Sequence, residues 1–111
     1  MVRRLLLAAA LGSLAAPGPV ALGADTAATV TAAVTIDNFT FTPAVLTVPV
    51  GAAVTWTNHD DIPHTVVLPS PASKSPVLDT DEHFNVTFAK AGTYTYFCGL
   101  HPHMQGTLVV K

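Results

Sequence analysis

A single cysteine, Cys98, stands in the whole chain, so no internal disulfide can brace the fold. Covalently attached haem, which takes a Cys-x-x-Cys-His run, is excluded on the same ground. Charge is scarce too. Residues 25–111 hold three lysines against seven acids, which leaves no basic stripe for nucleic acid and only a slight bias toward basic partners. Helical periodicity is also missing, since no segment offers a convincing amphipathic helix, and no internal repeat is present. The one long apolar stretch, "LLLAAALGSLAA", is broken by Gly12 and Ser13 and stops short of Pro17, too brief to span a bilayer comfortably.

That stretch follows the basic start "MVRR" and precedes the small residues of "ALGA". The pattern predicts a secretory signal peptide over residues 1–24, cleaved near Gly23 or Ala24 and delivering residues 25–111 to the periplasm as one domain. The alternative is an N-terminal membrane anchor. The Arg3-Arg4 pair alone does not make a twin-arginine signal. A domain this small lies near the size at which a metal or a disulfide supports the fold. With one thiol, only the metal remains open.

Short alternating segments fill the rest. "TVTAAVTI", "AVLTV", "AAVTWTN", "HTVVL", "FNVTF", "TYTYF" and "GTLVV" are rich in Val, Thr and aromatics and are separated by Gly, Pro, Asn or Asp. They predict an all-β Greek-key sandwich of about seven to eight strands. "LPSPASKSPVLDTDEH", with three prolines and three serines, reads as a surface loop, and Asp79, Asp81 and Glu82 within it as a solvated turn.

Against this background the stretch "FCGLHPHMQG" is unusual. It gathers Cys98, His101, His103 and Met104 into one connection between "TYTYF" and "GTLVV". Gly99, Pro102 and Gly106 argue against a helix there, so a tight loop folds its donors toward one point. Thiolate, imidazole and thioether together suit copper, whereas zinc rarely recruits methionine. A trigonal copper site needs a second imidazole, from His59, His64, His83 or His103. His64 is favoured, because it follows Pro63 at the start of "HTVVL" and can lie at the sandwich end where "TYTYF" stops. His59 in the polar turn "NHDD", His83 beside the acidic loop and His103 are expected to be exposed.

"NFTFTPAVLTVPVGAAVTWTNHDDIPHTVV" followed by "GTYTYFCGLHPHMQGTLVV" resembles the small cupredoxins, the blue copper proteins, of the amicyanin type. The resemblance implies one copper ion held by His64, Cys98 and His101 in a plane, with Met104 as a weak axial ligand. It also implies that Asn58 ties the two ligand-bearing segments together. The function so implied is periplasmic electron transfer, with Cu(I)/Cu(II) cycling between redox partners such as a dehydrogenase, a cytochrome or a copper reductase, which dock transiently near His101. A monomeric carrier, not an enzyme, is expected. Leu100 stands where related loops commonly carry proline, so its amide is free to give the cysteine sulfur a second N–H···S bond. Two other classes use the same residues: a periplasmic copper chaperone or storage module, and an enzyme with Cys98 as nucleophile.

Overall fold

The computed structural model describes residues 29–70 and 72–111. The signal peptide predicted over residues 1–24 lies outside them. The described residues form nine strands in two sheets: β1 Thr31–Asp37, β2 Thr40–Thr42, β3 Val45–Val48, β4 Ala53–Asn58, β5 Val67–Pro69, β6 Ala72–Lys74, β7 His83–Thr87, β8 Gly92–Phe97 and β9 Gln105–Val110. One sheet runs β2-β1-β4-β7 and the other β3-β9-β8-β5-β6. The chain therefore crosses repeatedly between the layers, as the all-β sandwich reading requires.

Three details differ from the expectation. β2 lies within "NFTFTP", pairing Asp37 with Thr40 across a two-residue turn. β6 lies inside the stretch read as a surface loop, where it pairs with β5. Conversely, "HTVVL" is a strand only from Val67 onward; His64 instead makes an isolated bridge with Leu78. Proline-rich composition masks an edge strand because an edge needs ladder hydrogen bonds on only one side.

Alternation decides which side chains meet between the layers. On β4, Val54, Trp56 and Asn58 point inward and Ala53, Thr55 and Thr57 are half-buried; on β9, Gly106, Leu108 and Val110 point inward. Trp56 is wholly buried and sits edge-to-face with Tyr96, centroids 5.2 Å apart. Tyr96 stacks in turn on Phe41 at 4.8 Å, in the T-shaped arrangement that aromatic quadrupoles favour. Gly106 makes this packing possible, since a Cβ there would lie 2.3 Å from the Tyr96 ring and hydroxyl. Among the described residues, Trp56 Nε1 and the Tyr96 hydroxyl are buried without a hydrogen-bond partner. Burial pushes the Tyr96 phenol up; the nearby Trp56 indole offsets part of the shift without reaching hydrogen-bond geometry.

Strand direction gathers the donors. β1 and β4 run parallel and finish together at Ile36 and Asn58, while β8 ends and β9 begins at the Phe97–Gln105 pair. The turn after β1, the segment after β4 and the 98–104 loop consequently share one end of the sandwich.

Candidate metal centre

Cys98 follows directly on β8 and is wholly buried. The loop it opens closes on itself through backbone bonds, from the His101 amide to the Cys98 carbonyl at 3.2 Å, from the Met104 amide to the His101 carbonyl at 2.8 Å, and from the Cys98 amide to the Met104 carbonyl at 3.1 Å. With Gly99 permitting close approach, the loop needs no helix to present its side chains. A Cβ at Gly99 would already crowd Thr65 Oγ1 at 3.0 Å.

His64 arrives on the connection that leaves β4 and crosses to β5. Its amide and carbonyl both bond to Leu78, at 3.1 and 2.8 Å, and its ring is wholly buried. His64 Nδ1 lies 3.6 Å from Cys98 Sγ, and His101 Nδ1 lies 3.7 Å from the same sulfur. The three donor atoms lie within 4.8 Å of one another. Ligands about 2.0–2.3 Å from a shared ion and opened to tetrahedral or trigonal angles are separated by this much, so the spacing fits one ion at their centre. Met104 is buried in the same core cluster as Cys98. Two imidazoles and a thiol at one point, on a loop that also carries the Met104 thioether, offer the soft donor set of copper.

The structure thus brings together His64, Cys98 and His101, with Met104 closing the loop, and leaves His59, His83 and His103 exposed. His59 pairs with Asp81 at 3.5 Å on the surface. Two expectations need correction. Asn58 does not reach the 98–104 loop: its Nδ2 donates to the Ile62 and Leu78 carbonyls, both at 2.9 Å, and its Oδ1 accepts from the Asp60 amide at 2.8 Å. It braces the His64 segment alone. Thr65 makes the link between the two segments, donating its amide to Cys98 Sγ at 3.4 Å and accepting from the Gly99 amide through Oγ1 at 2.8 Å. Nor is the second N–H···S bond formed; among the described residues the Thr65 amide is the backbone donor to Sγ, and the Leu100 amide does not join it. The reason is local, since the turn at 98–101 directs the His101 amide back to the Cys98 carbonyl.

Asp60 and Phe39 escaped the sequence reading. The Asp60 carboxylate lies 2.7 Å from His64 Nε2 and accepts from the amides of Asn38 at 2.6 Å and Phe39 at 2.9 Å. Burial pushes this carboxyl up, yet the Phe39 and Asn38 amides and the His64 imidazole outweigh it and hold the group below the ordinary aspartate value. A carboxylate can only accept, so this contact calls for the His64 proton on Nε2, the tautomer that leaves Nδ1 bare toward Cys98. The Phe39 ring lies edge-to-face with both imidazoles, 5.5 Å from His64 and 5.0 Å from His101. Asn38 and Phe39 have φ of 53° and 55°, a left-handed conformation that costs a side-chain-bearing residue roughly 1–2 kcal/mol.

Residues 4–110 match the family model described as a cupredoxin-like domain. Amicyanin-alpha of Methylorubrum extorquens is 34% identical across 99% of this chain and 100% of its own length. Amicyanin of Paracoccus denitrificans is 42% identical over 60% of this chain, a match that spans 54% of that relative. Plastocyanin of Scenedesmus fuscus is 34% identical over 83% of this chain and 97% of its own. Among solved structures, a purple cupredoxin from Nitrosopumilus maritimus superposes with a TM-score of 0.67 at 32% identity, covering 72% of this chain and 99% of that one.

Proposed function

The chain belongs to the cupredoxin-like family, and from that premise we propose that it is a one-copper electron carrier in which His64, Cys98 and His101 are the close ligands and Met104 the weak fourth. The observation that carries this reading is the meeting of three donor atoms, from two distant segments, within 4.8 Å. When bound, copper supplies a one-electron Cu(I)/Cu(II) couple.

The chain's own residues meet the demands of that couple. A carrier must change charge without rearranging, and burial of His64 and Cys98 with no exposed area keeps water from adding a ligand. The Thr65 amide donates to the thiolate, and Asp60 holds His64 with its free nitrogen inward. His101 is only half-buried, flanked by exposed Leu100 and Phe39. It is the donor through which an electron leaves, across a small apolar contact with a redox protein that docks and releases.

The closed donors favour a carrier over a copper chaperone, which needs an exchangeable ion, and over an enzyme, which needs substrate access to Cys98. We place the mature protein in the periplasm as a monomer, with residues 1–24 removed; N-terminal sequencing of the exported protein checks the cleavage. Reconstitution of the metal-free protein with Cu(II) tests the rest. The expected result is one ion per chain, an intense visible thiolate-to-copper band, and retention of the reduced ion against a Cu(I) chelator. Rapid loss of the ion to the chelator would turn the reading to copper delivery.

A further inference from the structure

Asn38 and Phe39 form the two-residue turn between β1 and β2, both in the left-handed region. Such turns favour Asn at the first position and glycine at the second. Here the second is phenylalanine, a bulky residue poorly suited to that backbone, and the residue is 47% exposed. Two facts offset the misfit. The turn points both amides at one spot, where the Asp60 carboxylate accepts them, and it sets the Phe39 ring perpendicular to both imidazoles. Asp60 is itself held on either side, by Asn58 Oδ1 on its amide and by the Thr80 hydroxyl on its carbonyl at 2.6 Å.

We propose that Asp60 is a positioning residue that joins the buried imidazole and the exposed aromatic ring into one unit: its carboxylate turns the bare nitrogen of His64 toward Cys98 and, through the amides of residues 38 and 39, keeps the Phe39 ring against His64 and His101. The inference rests on the reading of the two histidines as copper ligands. Division of labour within the carboxylate makes it specific. Oδ1 serves Asn38, whereas Oδ2 serves both Phe39 and His64. An amide in its place has one oxygen and one donating nitrogen, so Asp60→Asn gives up either Phe39 and His64 together or Asn38 alone. Asp60→Ala gives up both.

The test uses the metal-free full chain at about pH 8.5, well above the ordinary imidazole value of about 6.5. Long-range proton–nitrogen correlation reads which His64 nitrogen carries the proton, and Overhauser contacts read the Phe39 ring against the His64 and His101 rings. Wild type shows a single Nε2–H form and both sets of contacts. Asp60→Ala mixes the tautomers and loses the contacts, Asp60→Asn keeps or loses the two signals together, and Phe39→Gly removes the contacts but keeps the tautomer. In the copper-loaded chain, Asp60→Asn raises the reduction potential, because a negative charge beside the ligand favours the more positive oxidised ion. Asp60→Ala that retains both the pure tautomer and the ring contacts would overturn the inference, as would the near-isosteric Asp60→Asn if it loses the tautomer yet keeps the contacts. So would an Asp60→Asn potential equal to wild type. Because the proton and ring signals are read without metal, they stand apart from whether the chain binds copper: a chain that shows them but takes up no copper sinks the functional reading, not this one.

Discussion

The two imidazoles are held in opposite ways. His64 belongs to a segment cross-braced from every side: Asn58 bonds within it and to Leu78, the His64 backbone bonds twice to Leu78, and Asp60 fixes the ring. His101 belongs to a loop tied mainly to itself, and the rings of Phe39 and His64, at 5.0 Å each, steady its own. Thr65 is the seam between them. A site that has to stay rigid and still be reached from outside can assign rigidity to one ligand and access to the other. Cys98, common to both, is buried with the rigid side.

The comparison breaks most severely at His64. His64→Ala removes a wholly buried ligand and strands the Asp60 carboxylate, so copper affinity should fall by more than the roughly 10–100-fold seen when only an outer hydrogen-bond partner of a ligand is lost; competitive titration measures it. Gly106→Ala tests the support beneath the loop. Tyr96 would have to move away from the new Cβ, at a cost of about 1–3 kcal/mol for an overpacked core, read by urea unfolding of the metal-free protein. His101→Gly should cost that unfolding free energy less than Gly106→Ala, because the side chain is half-exposed. It should nonetheless open the site to added imidazole, with the visible band returning on titration. If His64→Gly accepted external imidazole equally well, the two ligands would not differ as described.

Smaller effects sharpen the picture. Leu100→Pro removes an amide that does not bond to Sγ, so the thiolate band should keep its energy; a clear shift would mean that the Leu100 amide does reach the sulfur. His59→Ala deletes an exposed pair with Asp81, worth at most about 0.2–1 kcal/mol, and the electron paramagnetic resonance of the loaded protein should not change.

The donors were legible in the sequence because three of them sit within one loop, and because the flanking strands announce themselves by local alternation. His64 was legible from Pro63 and the apolar run that follows, although the strand starts three residues later than that run suggests. Asp60, Phe39 and Thr65 were not. Each makes contacts across 21 residues of chain or more, a separation that leaves no periodic trace. An aspartate in "NHDD" reads as a solvated turn until the β1–β2 turn is folded over it. The Leu100 amide failed for the converse reason: sequence shows that a donor exists, but only the loop's own hydrogen bonds decide where it points.

Strand order also governs when the site can exist. β9, last in the chain, lies inside its sheet between β3 and β8, pairing in parallel with Val45–Val48 and antiparallel with Gly92–Phe97. Until residues 105–110 are in place, β3 and β8 present raw edges, the Met104 end of the loop has no anchor, and Cys98 has nothing to fold back on. Contacts so far apart along the chain form slowly. The thiol is enclosed only where that pairing is made, so copper supplied before it meets an open cysteine and copper supplied after it meets a finished cage.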